Sequence, residues 1–359
     1  MSPDRRSCWL AGRPIGDGMP PFIVAEIGLN HGGSRKTACE LVDAAAIAGA
    51  DAIKLQTLVA SELVAPACPA PAHVAATSLV EFFQQFELDQ ASHREVIDRA
   101  HTLGLAAIAT PLSENAVGWL DELGIDGFKI ASGDLTWDQL IARAAATGKP
   151  VLMSTGMATL DEVRHAIDVA RHAGAANLAL MHCVSAYPVP AGSENLLAIR
   201  TLADACGVPV GLSDHGADTF ALPLAVALGA SLYERHLVLE GDSEAVDRAV
   251  SSTPAELARS IRDARRAWSA LGSGCKVCLD VEAVNVAASR RSLCAARSLS
   301  AGTILQARDV VALRPGTGIA PGKIGLVIGR RLLQPIEAGD LITLSALEPL
   351  PLPEADCVA

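Results

Sequence analysis

The chain has 359 residues, of which 50% are hydrophobic and 19% charged, and this composition excludes an intrinsically disordered protein. Its net charge of −11 argues against nucleic acid or an anionic membrane surface as a partner. No apolar stretch reaches the roughly 18 residues of a membrane span. The N-terminus lacks the apolar core of a signal peptide, so we expect a cytoplasmic protein.

The nine cysteines are irregularly spaced and do not form the framework of a disulfide-stabilised domain. Cys275 and Cys278 form an isolated Cys-x-x-Cys, without the second pair that a zinc ribbon requires. We interpret these two residues as an exposed thiol pair without a function.

Eight short β-prone runs recur along the first three-quarters of the chain, and most are continuously apolar, as in parallel strands that are buried on both faces. These runs are residues 22–28, 52–57, 106–111, 127–132, 150–155, 178–183, 209–214 and 231–236. Helical periodicity lies between them, for example in residues 37–48, 94–103, 160–173 and 196–205. Eight βα units of about 30 residues predict a (β/α)8 TIM barrel. An open doubly wound sheet is the alternative, but no Gly-x-Gly-x-x-Gly follows a strand.

The domain pattern changes after a final long helix, predicted at residues 254–271. We therefore predict a catalytic barrel over residues 1–272, a linker over 273–287, a small β-rich domain over 288–349 and a loose tail over 350–359. The β-rich domain contains two similar phrases, SLSAGTIL and PIEAGDLI, with Gly turns between short strands. Within the barrel, the Pro/Ala-rich segment 58–78 is either a substrate-facing loop or a tolerated insertion.

Polar residues stand near the carboxyl end of nearly every predicted strand, which is where TIM barrels place their active sites. They are Glu26, Asn30, His31, Lys54, Gln56, Thr57, Thr110, Lys129, Ser132, Asp134, Ser154, Thr155, His182, Ser185, Ser213, Asp214, His215, Glu234 and His236. Packing alone does not account for so regular a placement, so we expect these residues to include a functional site.

Two of the six lysines, Lys54 and Lys129, lie inside apolar strands, and a buried ammonium needs an anion. That anion is either a neighbouring carboxylate such as Glu26, or a phosphate or carboxylate of the substrate, which we favour. Hydroxyl groups at the same strand ends supply neutral donors for phosphate oxygens. These residues are Thr110, Ser132, Ser154 and Ser213.

His215 and His236 end the seventh and eighth strands, which are neighbours in a closed barrel, so their imidazoles could share one divalent metal. The alternative is two ordinary, internally satisfied histidines. For His182 we favour a structural role, and His31 either contacts the substrate or caps a turn. A nucleophile elbow and a Walker loop are both absent from the sequence. This combination favours lyase, aldolase or synthase chemistry on a phosphorylated carbon acid.

Several long segments, in the right order from about residue 22 to residue 347, resemble the sialic acid synthase family. They include AEIGLNHGGS, AGADAIKLQT, FKIASGDLT, HCVSAYPVP, VPVGLSDH and ALGASLYERHLVLE. The segment RRSLCAARSLSAGTILQARDVVALRPGTGI resembles the antifreeze-like (SAF) domain of the same family.

The resemblance implies a condensation of phosphoenolpyruvate with the open-chain aldehyde of an N-acetylated hexosamine, giving a nonulosonic acid and phosphate. It assigns a Mn²⁺ ion to His215 and His236 and catalytic roles to Glu26, Lys54, Lys129 and Asp247. Further phosphoenolpyruvate contacts would be Thr110, Ser132, Ser154, Ser185 and Ser213, with Ser185 standing in place of the family's asparagine. Acceptor contacts would be Glu26, Gln56, Asp134, Tyr187 and Asp247. Arg314 resembles the arginine that the SAF domain inserts into the other subunit of a domain-swapped homodimer.

Two segments depart from the family pattern, and both face the acceptor in the family. Residues 245–248 read Ala-Val-Asp-Arg where the family has Gly-Pro-Asp-His, and residues 69–78 lack its Lys-x-x-Tyr-Gln. We therefore hypothesise that the condensation is retained with an altered acceptor. Two other functions stay open: a Schiff-base pyruvate lyase that uses Lys54 or Lys129, and a non-catalytic sugar-acid binding protein.

Overall fold

A computed structural model describes residues 6–69 and 78–349 and divides the chain into two compact units between Ser273 and Gly274. Within these ranges, none of the helices combines the length and the apolarity needed to cross a bilayer. The first unit begins with an antiparallel hairpin of β1 (Ser7–Leu10) and β2 (Arg13–Gly16), in which Cys8, Leu10 and Ile15 are buried.

Eight parallel strands follow and close into a barrel. They are β3 (Phe22–Gly28), β4 (Ala52–Thr57), β5 (Ala106–Pro111), β6 (Gly127–Ile130), β7 (Val151–Ser154), β8 (Leu178–Cys183), β9 (Val210–Asp214) and β10 (Leu232–Leu237). Each strand pairs with the next, and β10 pairs with both β9 and β3, which closes the sheet. A two-residue strand, β11 (Ser251–Ser252), pairs with the end of β10. The predicted (β/α)8 barrel is therefore confirmed, and the open sheet is wrong.

Helices connect the strands of the barrel. They are α1 (Arg35–Ala48), α2 (Ala60–Leu63), α3 (Leu79–Gln84), α4 (Gln90–Thr102), α5 (Glu114–Glu122), α6 (Asp138–Ala146), α7 (Leu160–His172), α8 (Ala198–Cys206), α9 (Ala221–Ala227) and α10 (Pro254–Leu271). Side-chain caps explain why some helices begin before the apolar periodicity does. Ser34 accepts a hydrogen bond from the Thr37 amide, so α1 begins two residues earlier than predicted. Asp89 accepts one from the Ser92 amide and moves the start of α4 from residue 94 to Gln90.

Two apolar clusters determine where the barrel has room for polar groups. The larger cluster lies between the strands and the surrounding helices. The second combines Leu10 and Ile15 of the hairpin with the first residues of the barrel strands, among them Val24, Ala52 and Leu152. Since side chains alternate along a strand, the residues two positions later lie on the same face, nearer its carboxyl end. The hairpin therefore packs against the N-terminal half of the interior, and polar residues occupy the other half.

The second unit contains α11 (Ala283–Ser289), which begins in the segment predicted as a linker and ends two residues beyond it, and an antiparallel pair of β12 (Ser292–Ala295) and β13 (Val310–Leu313). The two similar phrases of the sequence pair with each other. Leu299 and Ile336, at equivalent positions in them, exchange both backbone hydrogen bonds, at 2.9 and 3.0 Å. Both belong to this unit's own apolar core. The predicted tail, 350–359, lies outside the described residues.

The close approach of β9 and β10 predicts a large difference between two glycine substitutions. A Cβ atom at Gly211 would lie 2.5 Å from the Leu232 carbonyl oxygen, so we expect Gly211→Ala to lower the free energy of unfolding by about 1–3 kcal/mol. Gly118→Ala is the control, because Gly118 lies inside α5 and its nearest neighbour would be 3.4 Å away. Alanine there should raise stability by about 0.5–1 kcal/mol. Urea denaturation measures both values, and equal effects would contradict the packing argument.

Candidate active site

A cavity of about 450 Å³ opens at the carboxyl ends of the barrel strands. It is lined by most of the residues predicted for the site: Glu26, Lys54, Gln56, Thr110, Lys129, Ser132, Ser154, Ser185, Tyr187, Ser213, His215 and His236. Leu112, Met157, Cys183 and Glu234 also line it. All eight strands contribute residues near their carboxyl ends, so closure of the barrel brings together side chains that are far apart in the sequence.

Glu234 lies at the centre of the buried charges. Its carboxylate accepts hydrogen bonds from Lys54 Nζ at 2.7 Å, from Lys129 Nζ at 2.9 Å to each oxygen, and from Ser213 Oγ at 2.9 Å. Lys54, Lys129 and Glu234 are all at most 6% exposed. The buried lysines therefore have a protein carboxylate as partner. Sequence reasoning noted Glu234 as a strand-end residue but gave it no role, although its position two residues before His236 places both on one face of β10.

Glu26 supplies a second carboxylate to the same cluster. Its Oε2 lies 2.5 Å from Lys54 Nζ, and its Oε1 accepts a hydrogen bond of 2.6 Å from the Gly28 amide. Gly28 has a φ of +54°, and the pairing of β3 with β4 shifts register between Glu26 and Gly28. A Cβ on Gly28 would lie 3.0 Å from His236 Nδ1 and 3.1 Å from Asp247 Oδ2. Glycine at this bulge thus lets the turn approach His236 closely.

The charges in this cluster shift one another's titration. Burial lowers the pKa of Lys54 to about 7, and the nearby Glu234 opposes the shift only in part. Burial would raise the pKa of Glu234, but Lys129 and Lys54 outweigh it and hold that pKa well below its usual range. Glu234 is therefore ionised at neutral pH, while the Lys54 ammonium can lose its proton near neutrality.

Hydroxyl groups surround the lysines on the remaining strands. Thr110 Oγ1 is buried and has no hydrogen-bond partner within residues 6–69 and 78–349. Ser132 Oγ accepts a bond of 3.1 Å from the Gly156 amide, and a Cβ on Gly156 would meet both Ser132 Oγ and Ser185 Oγ within 3 Å. The glycine therefore allows the hydroxyls of two different loops to approach one another. An unpartnered hydroxyl that lines the same cavity as two ammonium groups is suited to binding an anion.

His215 and His236 form the outer part of the cavity, with ring centroids 5.6 Å apart. His215 Nδ1 lies 3.3 Å from the Val184 carbonyl oxygen, and donation of that hydrogen bond leaves Nε2 as an acceptor. Burial, reinforced by His236, lowers the pKa of His215 to about 3, so its imidazole is neutral at pH 7. The Tyr187 ring lies 4.2 Å from that of His215 and is 58% exposed. The arrangement presents a neutral imidazole at the mouth of the cavity.

These two histidines fit a metal ion in part. His236 Nδ1 is buried, lies 3.2 Å from Asp247 Oδ2 and has no hydrogen-bond partner among the described residues. A neutral His215 and an unpartnered His236 nitrogen are the donor chemistry that a divalent transition metal requires. No group of three or more potential metal ligands occurs in the ranges 6–69 and 78–349. A metal held by these two side chains would need its other ligands from substrate or water.

Three predicted site residues do not line the cavity. Asp134 ends a short 3₁₀ turn, Ser132–Asp134, and burial raises its pKa. Asp247 contacts the site through His236, whose Nδ1 lies 3.2 Å from its Oδ2. Arg314 is exposed in the second unit. The loop that follows it is held by Ser292, whose hydroxyl donates to the Pro315 carbonyl oxygen and accepts from the Gly318 amide.

Other strand-end residues have structural partners. His31 Nδ1 accepts a hydrogen bond of 3.0 Å from the Gly33 amide, which is the turn-capping alternative. His182 Nε2 lies 2.8 Å from the Glu194 carbonyl oxygen, as a structural role predicts. Asp214 accepts a hydrogen bond from Tyr233 and pairs with Arg235. These three residues do not take part in the charge cluster.

The segment after the second barrel strand adjoins the cavity where it is described. Leu58, together with Leu63 and Phe82 of the flanking helices, belongs to an apolar cluster that also includes Leu112. Leu112 lines the cavity, which favours the substrate-facing alternative for this segment. Residues 70–77, the middle of the predicted insertion, lie outside the described residues.

Removing the charge of Glu234 should destabilise the barrel, because two buried ammonium groups would lose their shared partner. We expect Glu234→Gln to lower the free energy of unfolding by about 3 kcal/mol at pH 7, measured by urea denaturation. The control is Glu240→Gln, since Glu240 is exposed shortly after the same strand. A Glu234→Gln protein as stable as the control would contradict the central role of this carboxylate.

The lowered pKa of Lys54 predicts a pH-dependent contribution to stability. An unfolded lysine titrates near 10.5, so between pH 7 and 10.5 the unfolded chain binds more protons at this residue than the folded chain does. Its contribution to the free energy of unfolding is therefore lowest below pH 7 and rises with pH, by at most about 1.4 kcal/mol per pH unit. The free energy of unfolding of the wild type minus that of Lys54→Met should therefore increase from pH 7 to pH 9, as urea denaturation at each pH would show. A flat difference, or the same trend in Lys36→Met, would refute this assignment.

Comparison with known proteins identifies the family. The NeuB family pattern matches residues 41–276, and the SAF domain pattern matches residues 290–348, as the sequence resemblance predicted. The chain is 35% identical to N,N'-diacetyllegionaminic acid synthase of Legionella pneumophila, over 94% of this chain and 97% of the relative. It is 31% identical to N-acetylneuraminate-9-phosphate synthase of Homo sapiens, over 92% and 94% of the two chains.

A solved structure supports the same assignment. The crystal structure of N-acetylneuraminic acid (sialic acid) synthetase from Leptospira borgpetersenii, in complex with citrate, superposes with a TM-score of 0.72 at 30% identity. The match covers 79% of this chain and 96% of that one. The chain therefore belongs to the NeuB family, the family of the sialic acid synthases, and carries a SAF domain in its second unit.

Proposed function

We propose that this protein, an enzyme of the nonulosonic acid synthase type, condenses phosphoenolpyruvate with the aldehyde of an N-acetylated hexosamine or a related amino sugar. The products are a nonulosonic acid and inorganic phosphate. The proposal rests on one observation: a single cavity contains two lysines with hydroxyl groups around them, a neutral imidazole and a carboxylate. These residues are Lys54, Lys129, His215 and Glu26. This cavity offers cations and hydroxyls for a trianionic substrate deep inside and imidazoles nearer the opening.

The inner part of the cavity would bind phosphoenolpyruvate. Lys54 and Lys129 are already fixed by contacts with Glu234 across the barrel interior, so their ammonium groups need little reorganisation to meet the incoming anion. Thr110 Oγ1, which lacks a partner, can donate to a phosphate or carboxylate oxygen beside them. Fixing the enol in this way converts the encounter with the aldehyde into an effectively unimolecular step.

The bond changes follow from the two substrates. C3 of phosphoenolpyruvate attacks the aldehyde carbon, and positive charge develops at C2. The aldehyde oxygen takes up a proton and becomes a hydroxyl. Water adds to C2 and loses one proton; loss of its second proton, as the bond from C2 to the phosphate oxygen breaks, leaves a C2 ketone and releases phosphate. Glu26, whose carboxylate lies 2.5 Å from Lys54 Nζ, would stabilise the developing cation or accept the proton of that water.

We assign the metal to His215 and His236, with Mn²⁺ as the proposed ion. Such an ion, when bound, supplies Lewis acidity toward the aldehyde oxygen. Tyr187 packs against His215 and would limit the positions open to the acceptor, together with Gln56 at the same rim. Asp134 and Asp247 would contribute acceptor contacts at its edge, and Arg314 would come from the second copy in a homodimer.

The acceptor is proposed to differ from N-acetylmannosamine, because the segment 245–248 departs from the family pattern around Asp247. A Schiff-base mechanism is less well supported. Lys54 has a lowered pKa, but its Nζ lies within 2.7 Å of two carboxylate oxygens, and these contacts would have to break before the amine could attack a carbonyl. We therefore expect no pyruvate adduct on either lysine after borohydride treatment.

Phosphate release from phosphoenolpyruvate, measured with Mn²⁺ and a panel of aldehydes, tests the proposal. The panel contains N-acetylmannosamine, its 6-phosphate and 2,4-diacetamido-2,4,6-trideoxyhexoses. We expect acceptor-dependent release, and a fall in kcat/KM for phosphoenolpyruvate of about a hundredfold or more in Lys129→Met, because a buried cation that meets the substrate is lost. Lys149→Met is the matched control, because Lys149 is a half-buried lysine that pairs with Asp121 and does not line the cavity. Release without an acceptor, or none with any acceptor, would contradict the condensation.

A further inference from the structure

The segment between β10 and β11 carries Asp247, and one side chain from the opposite end of the sequence holds it. Asn30, in the turn after β3, is 3% exposed. Its Nδ2 donates to the Leu237 carbonyl at 2.8 Å and to Ser251 Oγ at 2.9 Å, while its Oδ1 accepts from the Asp247 amide at 2.9 Å. The amide therefore contacts the start of this segment, its end, and Asp247 itself.

Ser251 completes the arrangement around Asp247. Its hydroxyl donates to the Asp247 carbonyl oxygen at 2.7 Å, so both backbone polar groups of Asp247 are hydrogen-bonded within the same small network. The Asp247 carboxylate is then left beside His236, 3.2 Å from Nδ1, where the absence of a side chain on Gly28 leaves it room. The position of this carboxylate therefore depends on contacts made by Asn30 and Ser251.

A purely local role for Asn30 does not account for these contacts. An asparagine that stabilises its own turn bonds to the backbone about two residues further on. In this turn His31 performs that task by accepting from the Gly33 amide, and the side-chain partners of Asn30 lie more than 200 residues away in sequence. A fully buried amide whose partners all belong to the Asp247 segment acts on that segment.

We propose that Asn30 is a positioning residue for the acceptor half of the site and acts through Asp247. The inference rests on the proposed function, in which Asp247 contributes to acceptor binding beside His236. Asn30 does not line the cavity, and its side-chain hydrogen bonds go to Leu237, Ser251 and Asp247 and not to Lys54 or Lys129. Its loss should therefore affect the acceptor and spare phosphoenolpyruvate.

Kinetics of Asn30→Ala test the prediction with the acceptor that the wild type uses best. We expect kcat/KM for the acceptor to fall at least tenfold, while KM for phosphoenolpyruvate stays within twofold. Asn30→Asp keeps the size of the side chain but cannot donate to the Leu237 carbonyl, so it should show a similar loss. Asn177→Ala is the control, because Asn177 accepts one hydrogen bond from the Trp9 amide at the other end of the barrel. Equal losses for both substrates would mean a general structural role and would overturn the proposal.

A double-mutant cycle shows whether Asn30 acts through Asp247. If it does, Asn30→Ala should change kcat/KM for the acceptor by less than twofold in an Asp247→Ala protein. Independent, multiplicative losses would overturn the proposal, because Asn30 would then act on the site by another route.

Hydrogen exchange measures the contact itself and requires no turnover. The Asp247 amide donates to a buried side chain in the wild type, so its exchange should accelerate at least tenfold in Asn30→Ala and remain unchanged in Asn177→Ala. Unchanged exchange in Asn30→Ala would overturn the inference. The two proposals can also fail separately. If the Asp247 amide exchanges faster in Asn30→Ala but the wild type releases no phosphate with any acceptor, the contact is supported and the proposed function is contradicted.

Discussion

The buried contact of Glu234 with two lysines is the interaction on which the site depends. Two ammonium groups inside a barrel would be prohibitively costly without anions, and Glu234 and Glu26 supply them within 2.9 Å. The arrangement keeps both lysines in place before any substrate arrives. An apolar filling of the same volume would serve stability equally well, so the retention of four charges here is more readily explained by binding an anion than by folding.

Strand alternation converts one sheet into two functional halves. On β3, β4 and β7 the residues Val24, Ala52 and Leu152 pack against the N-terminal hairpin, and the residues two positions later, Glu26, Lys54 and Ser154, line the cavity. Closure of the sheet then sets Glu26 directly beside His236, its partner in the register of β3 and β10. The same backbone pattern therefore provides an apolar core, a charged centre and a histidine pair in successive layers.

The sequence predicted what depends on local pattern. Strand bounds such as 22–28 and 178–183 agree with the structure because each apolar run and its turn residues are contiguous in sequence. The strand ends also indicated the position of the cavity, because the carboxyl ends of all the parallel strands lie on the same side of the barrel. The role of Glu234 was missed, since the choice between a substrate anion and a particular carboxylate depends on distances across the barrel. Asn30 was noted only as a strand-end residue because its partners are separated from it by more than 200 residues. Asp134 and Asp247, implied by resemblance, proved to lie beside the cavity and not in its wall.

The packing of the N-terminal hairpin against the barrel interior determines the route by which substrates reach the site. Because Leu10 and Ile15 belong to the apolar core at one end of the barrel, the cavity is open at the other end and does not run through the barrel as a channel. Everything that enters must pass the rim, where Tyr187 is 58% exposed, before it reaches Lys129, which is 1% exposed. In the proposed reaction, an aldehyde bound at the rim would obstruct the way to the lysines, so phosphoenolpyruvate would have to bind first.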